Sequence, residues 1–251
     1  MLKMMNVTKA FGGVVATNDF SAEFAPGSLS AIIGPNGAGK TTLFNLITGK
    51  LKPDSGRIVF DGQDIGGLPA REIVRRGIGR AFQVANIFPT LTVEQSLEAA
   101  VLAHRRRMSD PWRPFSQPAS RERAHELMEM LGMESRARTL SSHLSHGDQK
   151  LLDIGLALAL EPRLLLLDEP TAGMGPEERL QMIERVHFLW QREKMTIIFI
   201  EHDMDIVFAR AQSIRVLYYG ALLAEGTPDE IRSNQKVIDA YLGTGFAEEA
   251  A

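Results

Sequence analysis

No cysteine occurs among the 251 residues of the chain. This excludes disulfides, thiolate metal sites and a cysteine nucleophile, and it is compatible with a reducing compartment, the cytosol being the default. Nor is there an excess of basic charge. The 28 Lys and Arg stand against 31 Asp and Glu, a formal net charge of -3, so no general positive field favours nucleic acid. No apolar run approaches the roughly 20 residues that cross a bilayer, and the most apolar window, Leu151 to Leu160, is interrupted by Asp153. The stretch around Lys3 and Lys9 lacks the apolar core and small-residue cleavage site of an export signal. Any membrane role is therefore expected to come through a partner chain. Fixed-period repeats and a heptad run are missing too, while 44% hydrophobic residues suffice for a sizeable core.

Against these absences stands Gly34-Pro35-Asn36-Gly37-Ala38-Gly39-Lys40-Thr41-Thr42, which fits G-x-x-x-x-G-K-[ST] and directly follows the apolar run Leu29 to Ile33. A buried strand delivering the chain to a glycine-rich turn, with a helix after it, lets backbone N-H groups and the positive helix end converge on one anion. Lys40 would sit between the β- and γ-phosphates of a nucleotide, and the Thr41 hydroxyl would hold Mg²⁺.

Strands are predicted over Leu2 to Val7, Phe20 to Phe24 and Leu29 to Ile33, and a further one over Arg57 to Phe60 between turn-forming Pro53-Asp54-Ser55-Gly56 and Asp61-Gly62. The helix leaving the loop should end near Gly49. Thr92 and Gln95 are spaced as a capping box, and helical patterns recur at Arg121 to Leu131 and Gly147 to Leu160. Residues 84 to 162 thus read as a helical lobe. Within it, His104 to Ser120 reads as an exposed loop with Arg105, Arg106, Arg107 and Arg113 among three prolines. After Pro162 the order is strand, helix, strand, helix, strand, from Leu164 to Tyr218, followed by helices near Pro228 to Ser233 and Gln235 to Leu242. Continuous apolar strands joined by helix-length connections are the grammar of a parallel sheet in an α/β fold.

The run Leu164 to Leu167 ends in adjacent acids, Asp168 and Glu169, whose side chains leave the strand in opposite directions. Asp168 would sit by Mg²⁺ and Glu169 would act as general base toward the attacking water. His202 follows the strand Thr196 to Ile200, where ligand meets the carboxyl end of a parallel strand, and would contact the γ-phosphate. Gln83 follows the strand-like Ile78 to Phe82 and has an amide able to reach Mg²⁺ or the water. His143 and His146 have the spacing of a metal pair, without a further ligand cluster beside them.

The loop, Gln83, Leu144-Ser145-His146-Gly147-Asp148-Gln149, Asp168-Glu169-Pro170 and His202 occur in an order and spacing that resembles the nucleotide-binding subunits of ABC transporters. The resemblance implies a P-loop NTPase (RecA-like) core over residues 1–83 and 163–251, with an antiparallel β subdomain and an inserted helical lobe over 84–162. It implies ATP and Mg²⁺ as cofactors, Phe11 as the ring that stacks on adenine and Ala16 as its short neighbour. It further implies that Ser145 and Gly147 act on the nucleotide of a second ATPase subunit across a dimer interface. The usual L-S-G-G-Q signature is altered here by His146 and Asp148, which leaves the direction of the Asp148 side chain open, and Gly175 stands where the family usually carries an aspartate.

Gly77 to Gln83, His146, Ala172 to Pro176 and Tyr241-Leu242-Gly243 resemble, within the family, importers of branched-chain amino acids and their urea-transporting relatives. That narrower likeness implies membrane permease subunits received at Val84 to Leu91, with Ile87, Phe88 and Leu91 as apolar contacts, and indirectly a substrate-binding protein. The subunit would lie at the cytoplasmic face of the cell membrane. An exporter, a lipopolysaccharide-extraction system and a soluble ABC ATPase stay open as alternatives.

Overall fold

A computed structural model of the protein describes residues 1–104 and 118–242. The expected arginine cluster at Arg105, Arg106, Arg107 and Arg113 lies outside the described residues, as does Gly243. In chain order the elements are β1 (Leu2–Phe11), β2 (Val14–Phe24), β3 (Leu29–Ile33), α1 (Lys40–Ile47), β4 (Ser55–Phe60), β5 (Gln63–Asp64) and α2 (Ala70–Arg75). Then come β6 (Ile78–Ala81), α3 (Val93–His104), α4 (Pro118–Leu131), α5 (His146–Leu158), β7 (Leu164–Asp168) and α6 (Pro176–Glu193). The chain closes through β8 (Thr196–Ile200), α7 (Met204–Arg210), β9 (Ser213–Tyr218), β10 (Ala221–Gly226), α8 (Pro228–Arg232) and α9 (Gln235–Leu242). These elements form two compact units, residues 1–76 with those from 195 onward, and residues 77–194.

In the first unit, β2, β1, β4 and β5 make an antiparallel sheet in that order, while β3 lies between β8 and β9, parallel to both. Every residue of β3 and β8 is buried, which is why their sequences show no alternation. β1 instead buries Leu2, Met4 and Val7 and exposes Lys3 and Met5, so one face of its sheet is wet. Arg215 of β9 ties the sheets together. Its guanidinium donates to the Glu23 carbonyl of β2 and to Glu225 of β10 (2.6 Å), and it lies 4.0 Å from the Phe24 ring centre. Burial holds that guanidinium below its ordinary pKa, with Glu225 opposing.

The second unit pairs β6 with β7 in parallel and packs them with helices α3 to α6. Thr92 and Gln95 do form a capping box, each side chain accepting from the other's backbone N-H at 3.2 and 3.0 Å. The helices expected in the 84–162 lobe belong to this unit, together with β6, β7 and α6. The expected loop reached too far: Pro118 to Ser120 already form the first turn of α4 and Ser120 is buried. Proline is at home there, because a first-turn residue has no helical N-H bond to lose. The strand expected over Ile78 to Phe82 stops at Ala81, and Phe82 is exposed.

Candidate functional site

The register of the first unit decides what leaves β3. Ile32 lies opposite Ile200 and Ile33 opposite Val216. The chain beyond β3 and the chain beyond β8 therefore emerge side by side at the carboxyl edge, with Gly34 and His202 each two residues past the paired positions. The loop then passes so close to its neighbours that glycine is obligatory at two points. A Cβ at Gly34 would lie 2.3 Å from the Leu217 carbonyl oxygen, and one at Gly39 would lie 2.2 Å from that of Ala16, at φ values of +153° and +102°.

Lys40 opens α1 and folds back over the loop, its buried ammonium donating to the carbonyls of Gly34 (2.6 Å) and Pro35 (3.0 Å). Asn36, Gly37 and Thr41 are exposed, Thr42 is half-buried and Ala38 is buried. The first turn of α1 contains no acidic residue, so its positive end is not offset from within the helix. A feature with no sequence signal completes this region. The turn Tyr219-Gly220 between β9 and β10 donates from Gly220 N-H to the Ala38 carbonyl (3.0 Å) and accepts at the Gly220 carbonyl from Asn18 (2.9 Å), bracing the loop.

His202 is exposed, and its backbone N-H donates to the Glu201 carboxylate at 3.2 Å. Ala16, half-buried on β2, lies against the loop through its carbonyl. Phe11 stands at the tip of the β1–β2 hairpin, 47% exposed, with the Lys9 ammonium 5.6 Å from its ring centre.

In the second unit, Ala81 lies opposite Leu167, which sends Gln83 and the acid pair out together. The Gln83 amide donates to Glu169 Oε2 at 2.7 Å. Asp168 is 5% exposed and its Oδ2 accepts from Arg80 at 2.6 Å, while the Arg80 guanidinium also covers the Phe82 ring at 4.9 Å. Glu169 adopts φ +49°, a left-handed conformation that costs a non-glycine residue on the order of 1–3 kcal/mol. Its carbonyl accepts from the buried Lys150 ammonium at 2.7 Å. Arg80 and Lys150 received no role from sequence, since nothing in linear spacing joins either to the acids.

Ser145 caps α5, its hydroxyl accepting from Asp148 N-H at 3.1 Å. The Asp148 carboxylate turns to Arg136, 3.2 Å away, which answers the open question of its direction. A Cβ on Gly147 would meet only Met174 Cε, at 3.7 Å, so nothing within this unit requires glycine there. His146 packs on the loop after β7, its Nε2 3.3 Å from where a Cβ of Gly173 would lie. Val84 and Phe88 are exposed, Val84 at 80%, whereas Ile87 and Leu91 are half-buried. Among the described residues no group of three or more His, Cys, Asp or Glu is placed to hold a metal, and no helix is long and apolar enough to cross a membrane.

A glycine-rich loop between a buried parallel strand and a helix, with a lysine folded over it and an acid pair closing another buried strand, defines a P-loop nucleoside triphosphatase. The family described as ABC transporter matches residues 17–172, and that described as branched-chain amino acid ATP-binding cassette transporter matches residues 221–247. LivG of Escherichia coli K12, a high-affinity branched-chain amino acid transport ATP-binding protein, is 37% identical over 249 residues, covering 97% of this chain and 98% of its own. A crystal structure of a nucleotide-free ATP-binding cassette from an ABC transporter superposes with a TM-score of 0.84 at 31% identity, over 96% of this chain and 98% of that one. An ATP-binding cassette in a dimeric post-hydrolysis state bound to ADP and Pi gives 0.77 at 27% identity, over 91% and 99%. The chain belongs to the ABC transporter family.

Proposed function

We propose that this chain binds and hydrolyses ATP as the energy-supplying subunit of an importer for branched-chain or similar amino acids. The transport reading is supported by the match over residues 221–247 and by the likeness to LivG along nearly the whole chain. The observation that carries the chemistry is the Gln83 to Glu169 hydrogen bond beside a buried Asp168. It sets an amide and a carboxylate together where the neighbouring strands β6 and β7 end, one to orient a water and the other to take its proton.

The loop from Asn36 to Thr42 cradles the phosphates through backbone N-H groups, and Lys40 exchanges its two carbonyl partners for phosphate oxygens. His202 contacts the γ-phosphate, Phe11 stacks on the adenine and Ala16 lies beside it. Mg²⁺ fits the donors present. Thr41 offers an exposed hydroxyl, Gln83 an amide oxygen and Asp168 the carboxylate oxygen that Arg80 does not take, all hard oxygens suited to an ion that draws its other ligands from phosphate and water. When bound, the ion offsets the charge of the β- and γ-phosphates.

Ser145 and Gly147 serve the nucleotide of a second ATPase subunit. The open face of Gly147 supports this, because a backbone that receives an anion at a helix start has no use for a side chain there. The exposed Val84 and Phe88, in the Val84 to Leu91 segment, receive a permease subunit at the cytoplasmic face of the membrane, and a substrate-binding protein delivers the amino acid to the assembly.

Proteoliposomes carrying the assembled transporter test both parts. Wild-type complex should take up leucine only with ATP, whereas Glu169→Gln should keep ATP binding while turnover falls by about 10²- to 10⁴-fold. Hydrolysis without uptake of any branched-chain or other amino acid would reject the substrate reading. Unchanged hydrolysis in Glu169→Gln would reject the base.

A further inference from the structure

Helix α5 carries an ionisable residue that the chemistry above does not use. Asp153 is 5% exposed, and its neighbours Leu152 and Ile154 are buried apolar side chains. Its two carboxylate oxygens are spent on backbone. Oδ2 accepts from Phe82 N-H at 2.7 Å and Oδ1 accepts from Asn86 N-H at 3.2 Å. These two amides bracket Gln83 in a stretch with no helical or strand pairing of its own. One carboxylate thus holds both ends of a five-residue segment whose second member is Gln83.

Lys150, three residues earlier and so on the same face of the helix, holds the Glu169 carbonyl. Both partners of the Gln83–Glu169 hydrogen bond are therefore anchored on one helix, Gln83 through Asp153 and Glu169 through Lys150. Burial pushes the Asp153 carboxyl above its ordinary range, opposed by the two N-H donors and the nearby Lys150. A charged side chain kept in an apolar stretch at such a cost calls for a use that an apolar residue could not serve.

We propose that Asp153 is a positioning residue that makes the Gln83 segment follow helix α5, so that events at the Ser145 end of the helix reach the Gln83–Glu169 pair. The inference rests on the roles given above to Gln83 and Glu169. Phosphate arriving at Ser145 acts on the helix whose third turn grips the Gln83 segment, and a permease pressing on Val84 or Phe88 acts on the same grip from the other side. Lys150 carries the motion to Glu169 in parallel.

The test is a double-mutant cycle in the full-length protein, reading kcat and the KM for ATP. Asp153→Asn keeps the shape but leaves one acceptor for two amides. It should lower kcat about tenfold with KM within about twofold, and should add nothing further in a Gln83→Ala background. If Gln83→Ala is impaired while Asp153→Asn has full activity, or if the two losses simply multiply, the coupling is overturned and Gln83 keeps its role. If Gln83→Ala turns over normally, both fall.

Hydrogen exchange on the wild-type chain gives a second reading that no folding defect can obscure. A non-hydrolysable ATP analogue should change protection at Phe82 and Asn86 together with α5. Protection at α5 that changes without them would refute the coupling.

Discussion

The two units solve the same problem, holding polar groups ready at the end of a buried strand, by different means. In the first, position is imposed by backbone: the loop is threaded between the carbonyls of Ala16 and Leu217 at distances that only glycine allows, and braced through the Gly220 amide. In the second, position is imposed by side chains: Arg80 holds Asp168, Lys150 holds the strained Glu169, and Asp153 holds the Gln83 segment. Backbone threading gives a cradle with one geometry, fit for an anion whose shape does not vary. Side-chain tethers end on rotatable bonds, and suit groups that must shift between waiting and reacting.

Arg80→Leu strikes the side-chain scheme hardest. It leaves the 5%-exposed Asp168 carboxylate without its cation, and about 3–5 kcal/mol of stability should be lost in a denaturant titration. Adding Asp168→Asn should recover most of that loss, and failure to do so would show that Arg80 matters for something other than the pair. Gly39→Ala strikes the backbone scheme. With strain of about 1–3 kcal/mol at φ +102° and a Cβ driven into the Ala16 carbonyl, ATP affinity should drop about a hundredfold by calorimetry. Normal ATP binding in this variant would break the comparison.

The smallest effect concerns a side-chain tether in the wet sheet of the first unit. Asp54 accepts from Lys9 Nζ (2.6 Å) and Ala10 N-H (2.8 Å), and these bonds, Lys9 foremost, hold its carboxyl below the ordinary 3.8. A depressed acid adds stability above its unfolded pKa and loses it as pH falls through the folded value. The difference in melting temperature between wild type and Asp54→Asn should therefore be present at neutral pH and vanish on acidification below about 3.8. A difference that survives in strong acid would assign it to another cause.

This division also explains what was legible in the sequence. The loop could be read because backbone demands leave their mark in residue type at fixed spacing: glycine at 34, 37 and 39, with Lys40 next. β3 and β8 were predicted to the residue, since a strand covered on both faces is a continuous apolar run. β10, Ala221–Gly226, was missed because its apolar run is only the four residues Ala221 to Ala224, with no β-branched or aromatic side chain to mark it as a strand, and α2, Ala70–Arg75, is too short for its period to show.

The tethers of the second unit were not legible because their partners lie far apart in the chain, 88 residues for Arg80 and Asp168 and 71 for Phe82 and Asp153. One clue was present. A single aspartate inside the apolar window Leu151 to Leu160 argued against a membrane span, and the same oddity marks a buried carboxylate with work to do.

The Tyr219-Gly220 turn looks like a permissive place to splice in a reporter, being a tight surface turn with an exposed tyrosine. Its glycine is nonetheless stitched to Ala38 and Asn18. A label inserted there would register nucleotide occupancy only by tugging on the cradle it was meant to watch, whereas attachment through the phenol of Tyr219 leaves the stitches alone.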